Sequence, residues 1–254
     1  MDEVAIHHWT ASDGVDLAYR EMGEGCPVIL VHGLFSDGVT NWIKFGAAGR
    51  LVEAGFRVIM PDLRAHGLSG KPHDPALYHA GILGRDLTEL VAHLGLTDYD
   101  LGGFSLGSRT VVQAVGEGLT PRRAILAGMG LEGLTGWLRR KHFFLDAIAN
   151  VETSSRGDPH WLAIQFMKTM KVDLEAAKLL LPTFTDAHPA WLAAFTMPTC
   201  ALCGTEDEDN GSAPNLAAAL SNATYVAIPG THMSSVTKPE FGAAITAFLK
   251  APER

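Results

Sequence analysis

Positive charge is in short supply: 20 Lys and Arg stand against 28 Asp and Glu in 254 residues, a formal net charge of -8. That balance excludes an electrostatic grip on nucleic acid, which needs a concentrated basic face to displace counterions from phosphate. Cysteine is scarcer still, at 3. Three thiols cannot build a closed disulfide framework, which fits a reducing compartment. No run of about 18 consecutive apolar residues occurs, so no membrane span is expected. The opening Met1-Asp2-Glu3 lacks the basic and apolar regions of a secretion signal, and a cytoplasmic location is the expectation. Repeats of fixed period and low-complexity tracts are missing too. Charged residues make up 19% of the chain against 47% hydrophobic, which is too few for disorder and ample for a core.

What is present is an alternation of short apolar runs with helically periodic segments. That pattern predicts an α/β fold with a mostly parallel sheet covered on both faces. The expected strands are Val28 to His32, Phe56 to Pro61, Tyr99 to Phe104, Arg123 to Ala127, Thr199 to Cys203 and Thr224 to Ile228. Their nearly continuous apolar character predicts burial on both faces. Two further strands, His7 to Thr10 and Val15 to Arg20, flank the turn signal Ser12-Asp13-Gly14 and suit an antiparallel hairpin at a sheet edge. Leu83, Leu87, Leu90, Val91 and Leu94 share a helical face that Gly95 terminates, and Phe241, Ile245, Phe248 and Leu249 repeat the spacing. Between residues 130 and 197 the alternation stops and amphipathic helices replace it; Trp137, Phe144, Leu145 and Ile148 share one face. The expected organisation is a core of residues 1–129 and 198–254 with a helical insertion at 130–197. Seven basic and seven acidic residues leave the insertion neutral, with no sign of a charged substrate.

Gly103-Phe104-Ser105-Leu106-Gly107 carries the chemistry. It follows an apolar strand and precedes a helical segment, the setting in which a sharp turn exposes a serine hydroxyl from a strained backbone. Glycines two residues either side are needed because side chains there would collide across the turn. The second piece is Val28 to Phe35, a strand of aliphatics ending in His32-Gly33 and a loop. Backbone N–H groups of Leu34 and Leu106 are the candidates to face a developing oxyanion. His32 reads as a structural ring that fixes the loop. Cys200-x-x-Cys203 has metal or redox spacing but no second pair, so buried strand cysteines are the simpler reading. No metal and no organic cofactor are expected.

These motifs resemble the α/β-hydrolase superfamily nearly end to end. Pro61-Asp62-Leu63-Arg64-Ala65-His66-Gly67-Leu68-Ser69 is similar to its Asp-x-Arg-Gly-His-Gly-x-Ser turn, with Ala65 replacing the usual Gly. Asp62, Arg64 and His66 there read as a turn held by its own side-chain bonds. The stretch Val31 to Trp42 resembles small bacterial esterases. A second departure is Ser108, where many members carry another Gly. The resemblance implies a doubly wound eight-stranded sheet, a helical lid after the sixth strand and triad order Ser, Asp, His. That order selects Ser105 as nucleophile and His232, in the loop before the last helix, as base. The family's Gly-x-x-Asp after the seventh strand selects Asp207 as the orienting acid, with Asp209 and Glu132 as rivals.

The implied function is hydrolysis of an ester-like acyl bond in a small, largely apolar molecule. Phe35, Trp137, Phe144, Trp161, Phe166 and Met233 are the expected pocket residues. Carbon–carbon bond hydrolysis, lactone hydrolysis and cofactor-free lyase or oxygenase chemistry on the same triad stay open. So does a non-catalytic binding protein on the same fold. Haloalkane dehalogenase and epoxide hydrolase chemistry are disfavoured because those relatives carry Asp at the position of Ser105. The implied partner is a small molecule; the oligomeric state is undetermined by sequence.

Overall fold

The computed structural model describes residues 4–252. Eight strands form one sheet: β1 (Ala5–Thr10), β2 (Asp16–Met22), β3 (Cys26–Val31), β4 (Phe56–Pro61), β5 (Asp100–Phe104), β6 (Ala124–Ala127), β7 (Thr199–Gly204) and β8 (Ala223–Ile228). Their order across the sheet is β1-β2-β4-β3-β5-β6-β7-β8. Only β1 with β2 and β2 with β4 run antiparallel; every other pair is parallel. Order reverses at β3, which lies between β4 and β5, and ligand sites in doubly wound sheets open at the carboxyl ends beside such a reversal.

Strand periodicity builds two cores. Ile29, Val31, Leu101, Ala124 and Leu126 point to one face, while Val28, Leu30, Ile125 and Ala127 point to the other. The first face is covered by α2 (Ile82–His93) and α3 (Leu106–Gly116). The second is covered by α1 (Ala47–Glu53) and the C-terminal helix (Pro239–Lys250), which pack against each other. Leu83, Leu87, Leu90 and Val91 of α2 are buried as their spacing requires, and Gly95 leaves the helix with φ 61°. β8 departs from the expectation of double burial. It is an edge strand with only Ile228 buried, and Tyr225 stays 39% exposed, because nothing pairs beyond it among the described residues.

Between β6 and β7 the chain forms α4 (Leu131–Thr135), α5 (Trp137–Ala149), α6 (Trp161–Thr169), α7 (Leu174–Leu180) and α8 (Pro189–Ala193). Trp137, Ala147, Ile148, Ile164, Met167, Ala177 and Leu181 make a third, separate core, and Phe35 reaches into it from the sheet. After β7 come α9 (Ala213–Ala219), α10 (His232–Ser235) and α11 (Pro239–Lys250).

Candidate active site

β5 ends at Phe104 and α3 begins at Leu106, so Ser105 alone makes the turn, at φ 54° and ψ -111°. That conformation is costly for a residue with a Cβ and persists where the surroundings over-determine it. Here they do. A Cβ on Gly103 would strike the backbone of Gly107, and one on Gly107 would strike Val31 O, both well under 3.0 Å. Ser105 N donates to Ala127 O at 2.8 Å. Ser108 Oγ lies 2.7 Å from Gly103 O and 2.8 Å from Ala127 O and shares its single proton between them, so the departure from Gly supplies a hydroxyl that braces the turn.

His232 opens α10 behind the N-cap Thr231, whose hydroxyl and Ser234 form a reciprocal capping box. Its ring stacks on Phe104 with centroids 4.9 Å apart. Ser105 Oγ lies 3.0 Å from His232 Nε2, and His232 Nδ1 lies 2.8 Å from Asp207 Oδ2. A carboxylate only accepts, so Nδ1 carries the proton and Nε2 presents its lone pair to the serine hydroxyl. Asp207 sits in the loop after β7. Its Oδ1 accepts from Asp209 N at 3.1 Å, and its Oδ2 also receives the Cys203 thiol at 3.4 Å. Burial pushes the Asp207 carboxyl up, but the hydrogen bond and charge of His232, with the Asp209 N–H and the thiol, hold it below its ordinary value. Burial and the Asp207 charge push the Cys203 thiol up to about 12, so it stays a donor. Among the described residues, neither Leu34 N nor Leu106 N donates to a protein acceptor, which leaves both free beside the turn.

The model of the alpha/beta hydrolase fold family matches residues 27–151. A non-heme haloperoxidase of Rhodococcus erythropolis is 28% identical, over 95% of this chain and 98% of that protein. Among solved structures, an esterase from Exiguobacterium antarcticum superposes with TM-score 0.79 at 18% identity, covering 96% of this chain and 99% of that one. An enol-lactonase from Burkholderia xenovorans gives TM-score 0.76 at 22% identity, covering 96% and 100%. The chain has the α/β-hydrolase fold.

Within this hydrolase the sequence-selected Ser105, His232 and Asp207 meet in one chain of hydrogen bonds. Of the rivals for the acid, Glu132 is elsewhere and accepts from Ser212 N at 2.7 Å; the exposed Asp209 has its carboxylate within 4.8 Å of the imidazole but makes no hydrogen bond to it, and its backbone N–H serves Asp207. His32 donates from Nδ1 to Gly33 O at 2.8 Å and accepts Leu63 N at 2.9 Å on Nε2, a structural ring with both nitrogens used. Asp62 gathers Leu68 N, Gly38 N and Arg20. Arg64 reaches out of its turn to Asp86 and Asp13, so this loop is tied to α2 as well as to itself. Cys200 and Cys203 belong to no metal-ligating group among the described residues. The one such group is Asp207, Asp209 and His232, and a cation there would have to break the pair that orients the imidazole.

Of the expected pocket residues, Phe35, Trp137, Phe144 and Phe166 come together in the insertion's core. Trp161 is half-buried outside that core, and Met233 is 54% exposed on α10. Trp137 and Phe144 do not line the cavity of about 290 Å³ beside Phe35; they fill space against Phe35 and Phe184. Sequence reasoning missed three contributors. Cys203 reads as core by its apolar neighbours, and its contact with Asp207 arises only when the loop folds back. Arg140 of α5 donates to Asp209 O, and Arg109 of α3 donates to Gly133 O and Thr185 O. An arginine that serves backbone carbonyls leaves no charge pattern to find.

Proposed function

We propose that this enzyme is a serine hydrolase that cleaves an ester-like acyl bond through an acyl-enzyme. The observation that carries the reading is the strained Ser105 aligned with His232 and Asp207. In the proposed reaction Ser105 Oγ attacks the carbonyl carbon while His232 Nε2 takes the hydroxyl proton. The negative charge that develops on the carbonyl oxygen is met by Leu34 and Leu106 N–H. Each such donor contributes about 10²- to 10³-fold to turnover in comparable sites. Collapse expels the leaving group, which takes the proton from His232. Water then repeats the sequence on the acyl-Ser105 ester and returns the free serine and a carboxylic acid.

Helical residues 130–197 act in this reading as a lid on the core of residues 1–129 and 198–254. Ser105 and His232 are each only 8% exposed beneath it, which supports a water-poor reaction site. The named relative adds a second reading. Hydrogen peroxide in place of water at the acyl-enzyme would release a peroxy acid, an oxidant for halide. Lactone and carbon–carbon bond hydrolysis remain variants of the same acyl chemistry.

Hydrolysis of a short-chain p-nitrophenyl ester, with fluorophosphonate labelling confined to Ser105, tests the proposal. Full esterase activity in Ser105→Ala refutes it. Peroxide-dependent bromination at a rate above ester hydrolysis favours the second reading.

A further inference from the structure

Four described non-glycine residues have positive φ: Ser105, and Phe35 at 61°, Ala65 at 67° and Lys171 at 51°. The last three all line a single cavity of about 290 Å³, bounded by the loop after β3, the turn after β4 and the link between α6 and α7. Backbone held in this region gathers at binding and catalytic sites because only a constrained surround maintains it. Apart from Ser105, such strain among the described non-glycine residues is confined to one cavity.

The charge of that cavity is lopsided. Lys71 from the core and Lys171 from the insertion both line it. Among the described residues the only lysine in an ion pair is Lys178, so neither ammonium group here has a carboxylate in contact, although Asp62 and Asp173 lie near enough to favour the Lys71 cation. Lys71 Nζ donates to Gly67 O at 2.6 Å and Ser69 O at 2.9 Å, which leaves one of its three N–H groups. Arg20 is balanced by Asp62 at 2.7 Å. The one acid in the lining, Asp37, already accepts Thr40 N on Oδ1 at 2.7 Å. Phe35, Met170 and Val172 supply apolar wall. Two unpaired cations over an apolar floor suit an aliphatic chain that ends in a carboxylate.

Position links the cavity to the reaction. Phe35 follows Leu34, and a Cβ built on Gly33 would lie 3.5 Å from Ser105 Cβ. From Gly33 to Phe35 is two Cα steps, at most about 7 Å, which a short acyl chain spans. We propose that this cavity holds the far, carboxylate-bearing end of the acyl group, with Lys71 and Lys171 as specificity-determining residues. The substrate class is then a half-ester of an aliphatic dicarboxylic acid. This rests on the Ser105 hydrolase reading. Counting charge over residues 130–197 hides the feature, because Lys171 matters through its neighbour Lys71 and not through the insertion's total.

p-Nitrophenyl hydrogen glutarate and p-nitrophenyl valerate have equal acyl length and differ by the terminal carboxylate. We expect the wild type to show higher kcat/KM on the glutarate half-ester. The ratio of the two substrates should fall about tenfold in Lys171→Gln and in Lys71→Gln, the size of one charge-assisted contact at a half-exposed site. Lys171→Glu should invert the preference, and added salt should shrink it in the wild type. Lys171 is exposed, so its replacement leaves the cores intact. Titration of glutarate into Ser105→Ala, with and without Lys171→Gln, reads the same site without catalysis. Valerate turnover without a glutarate preference, and no glutarate binding, overturns the carboxylate site and leaves the hydrolase standing. Lys171-dependent glutarate binding with no ester turnover in the wild type overturns the hydrolase and keeps the anion site. Neither binding nor turnover overturns both.

Discussion

Replacing Asp207 with Asn is the sharpest probe of the proposed triad, because the hydrogen bonds around it dictate which way the new amide must face. Oδ1 of Asp207 accepts a fixed backbone donor, Asp209 N, at 3.1 Å. The amide oxygen of Asn must take that place, since its NH₂ there would oppose another N–H. The NH₂ then occupies the position of Oδ2, facing His232 Nδ1 at 2.8 Å and Cys203 Sγ at 3.4 Å. A donor at that distance forces the proton off Nδ1 and onto Nε2. Nε2 lies 3.0 Å from Ser105 Oγ, so the base now points an N–H at the hydroxyl it should deprotonate. Losing the working tautomer costs about 10⁴-fold in kcat, or roughly 5 kcal/mol of transition-state stabilisation. Fold and substrate affinity should change little, because the side chains are of equal size. The assay is kcat on a p-nitrophenyl ester, with circular dichroism confirming the fold and fluorophosphonate labelling of Ser105 reporting nucleophilicity. Glu132→Gln is the control, expected to turn over near the wild-type rate because Glu132 serves Ser212 N and not the imidazole. Asp207→Asn within tenfold of wild type, beside a collapse in Glu132→Gln, refutes the reasoning and moves the acid.

Removing the hydroxyl in Ser108→Ala takes away the one proton shared between Gly103 O and Ala127 O, of which Ala127 O keeps Ser105 N, at about 1–3 kcal/mol. Melting should fall by about 2–4 °C per kcal/mol in a chain of this size, read by calorimetry. Gly107→Ala should yield no active protein, since its Cβ would collide with Val31 O; soluble, fully active enzyme would contradict the packing of the turn. Burial and the neighbouring His32 push His66 down from 6.5 to about 3. The unfolded chain protonates below 6.5 while the folded one does not, so the unfolded state binds more protons and stability falls as pH falls. Between pH 7 and 4.5 His66 should remove roughly 2–3 kcal/mol, and urea titrations of His66→Gln should show a shallower loss. Prolonged chelation should leave ester hydrolysis unchanged; restoration of a lost activity by zinc would reassign Cys200, Cys203 or the Asp207 cluster.

Local constraints made the fold and the serine turn of the candidate site legible. The strands announce themselves because double burial demands unbroken apolar runs, and the serine turn because only glycine fits at 103 and 107. His232 and Asp207 were reachable only through chain order, since nothing in Glu206-Asp207-Glu208-Asp209 itself separates one acid from the next. What separates them is tertiary: Asp207 N donates to Gly204 O at 3.1 Å, and that turn aims its side chain back under the histidine. β8 misled for the opposite reason. Its composition resembles that of a buried strand, yet its place at the edge is a property of the sheet as a whole. The pocket was the least legible part. Helical spacing identifies Trp137 and Phe144 as an apolar face, but whether such a face lines a cavity or fills a core depends on what Phe35 does across the gap.

Two arginines help to hold the helical segment between β6 and β7, and both lie close in sequence or space to the candidate triad. Arg109 lies one turn of α3 beyond Ser105 and donates to Gly133 O and Thr185 O of the insertion. Arg140 leaves α5 for the carbonyl of Asp209, two residues past Asp207. Burial pushes the Arg109 guanidinium down to about 10, still a cation at neutral pH, with carbonyls in place of a carboxylate as partners. A buried cation that loses its acceptors is costly, so the insertion cannot lift away from these carbonyls without water entering to replace them. The link between α6 and α7 carries a tie of another kind, in which Asp173 accepts from His73 Nε2 of the core at 2.9 Å. There the insertion meets the core across the 290 Å³ cavity, and Lys171 stands exposed. A carboxylate bridging Lys71 and Lys171, as proposed above, would add a second tie beside that ion pair, so binding the far end of the acyl group would also strengthen the contact between insertion and core.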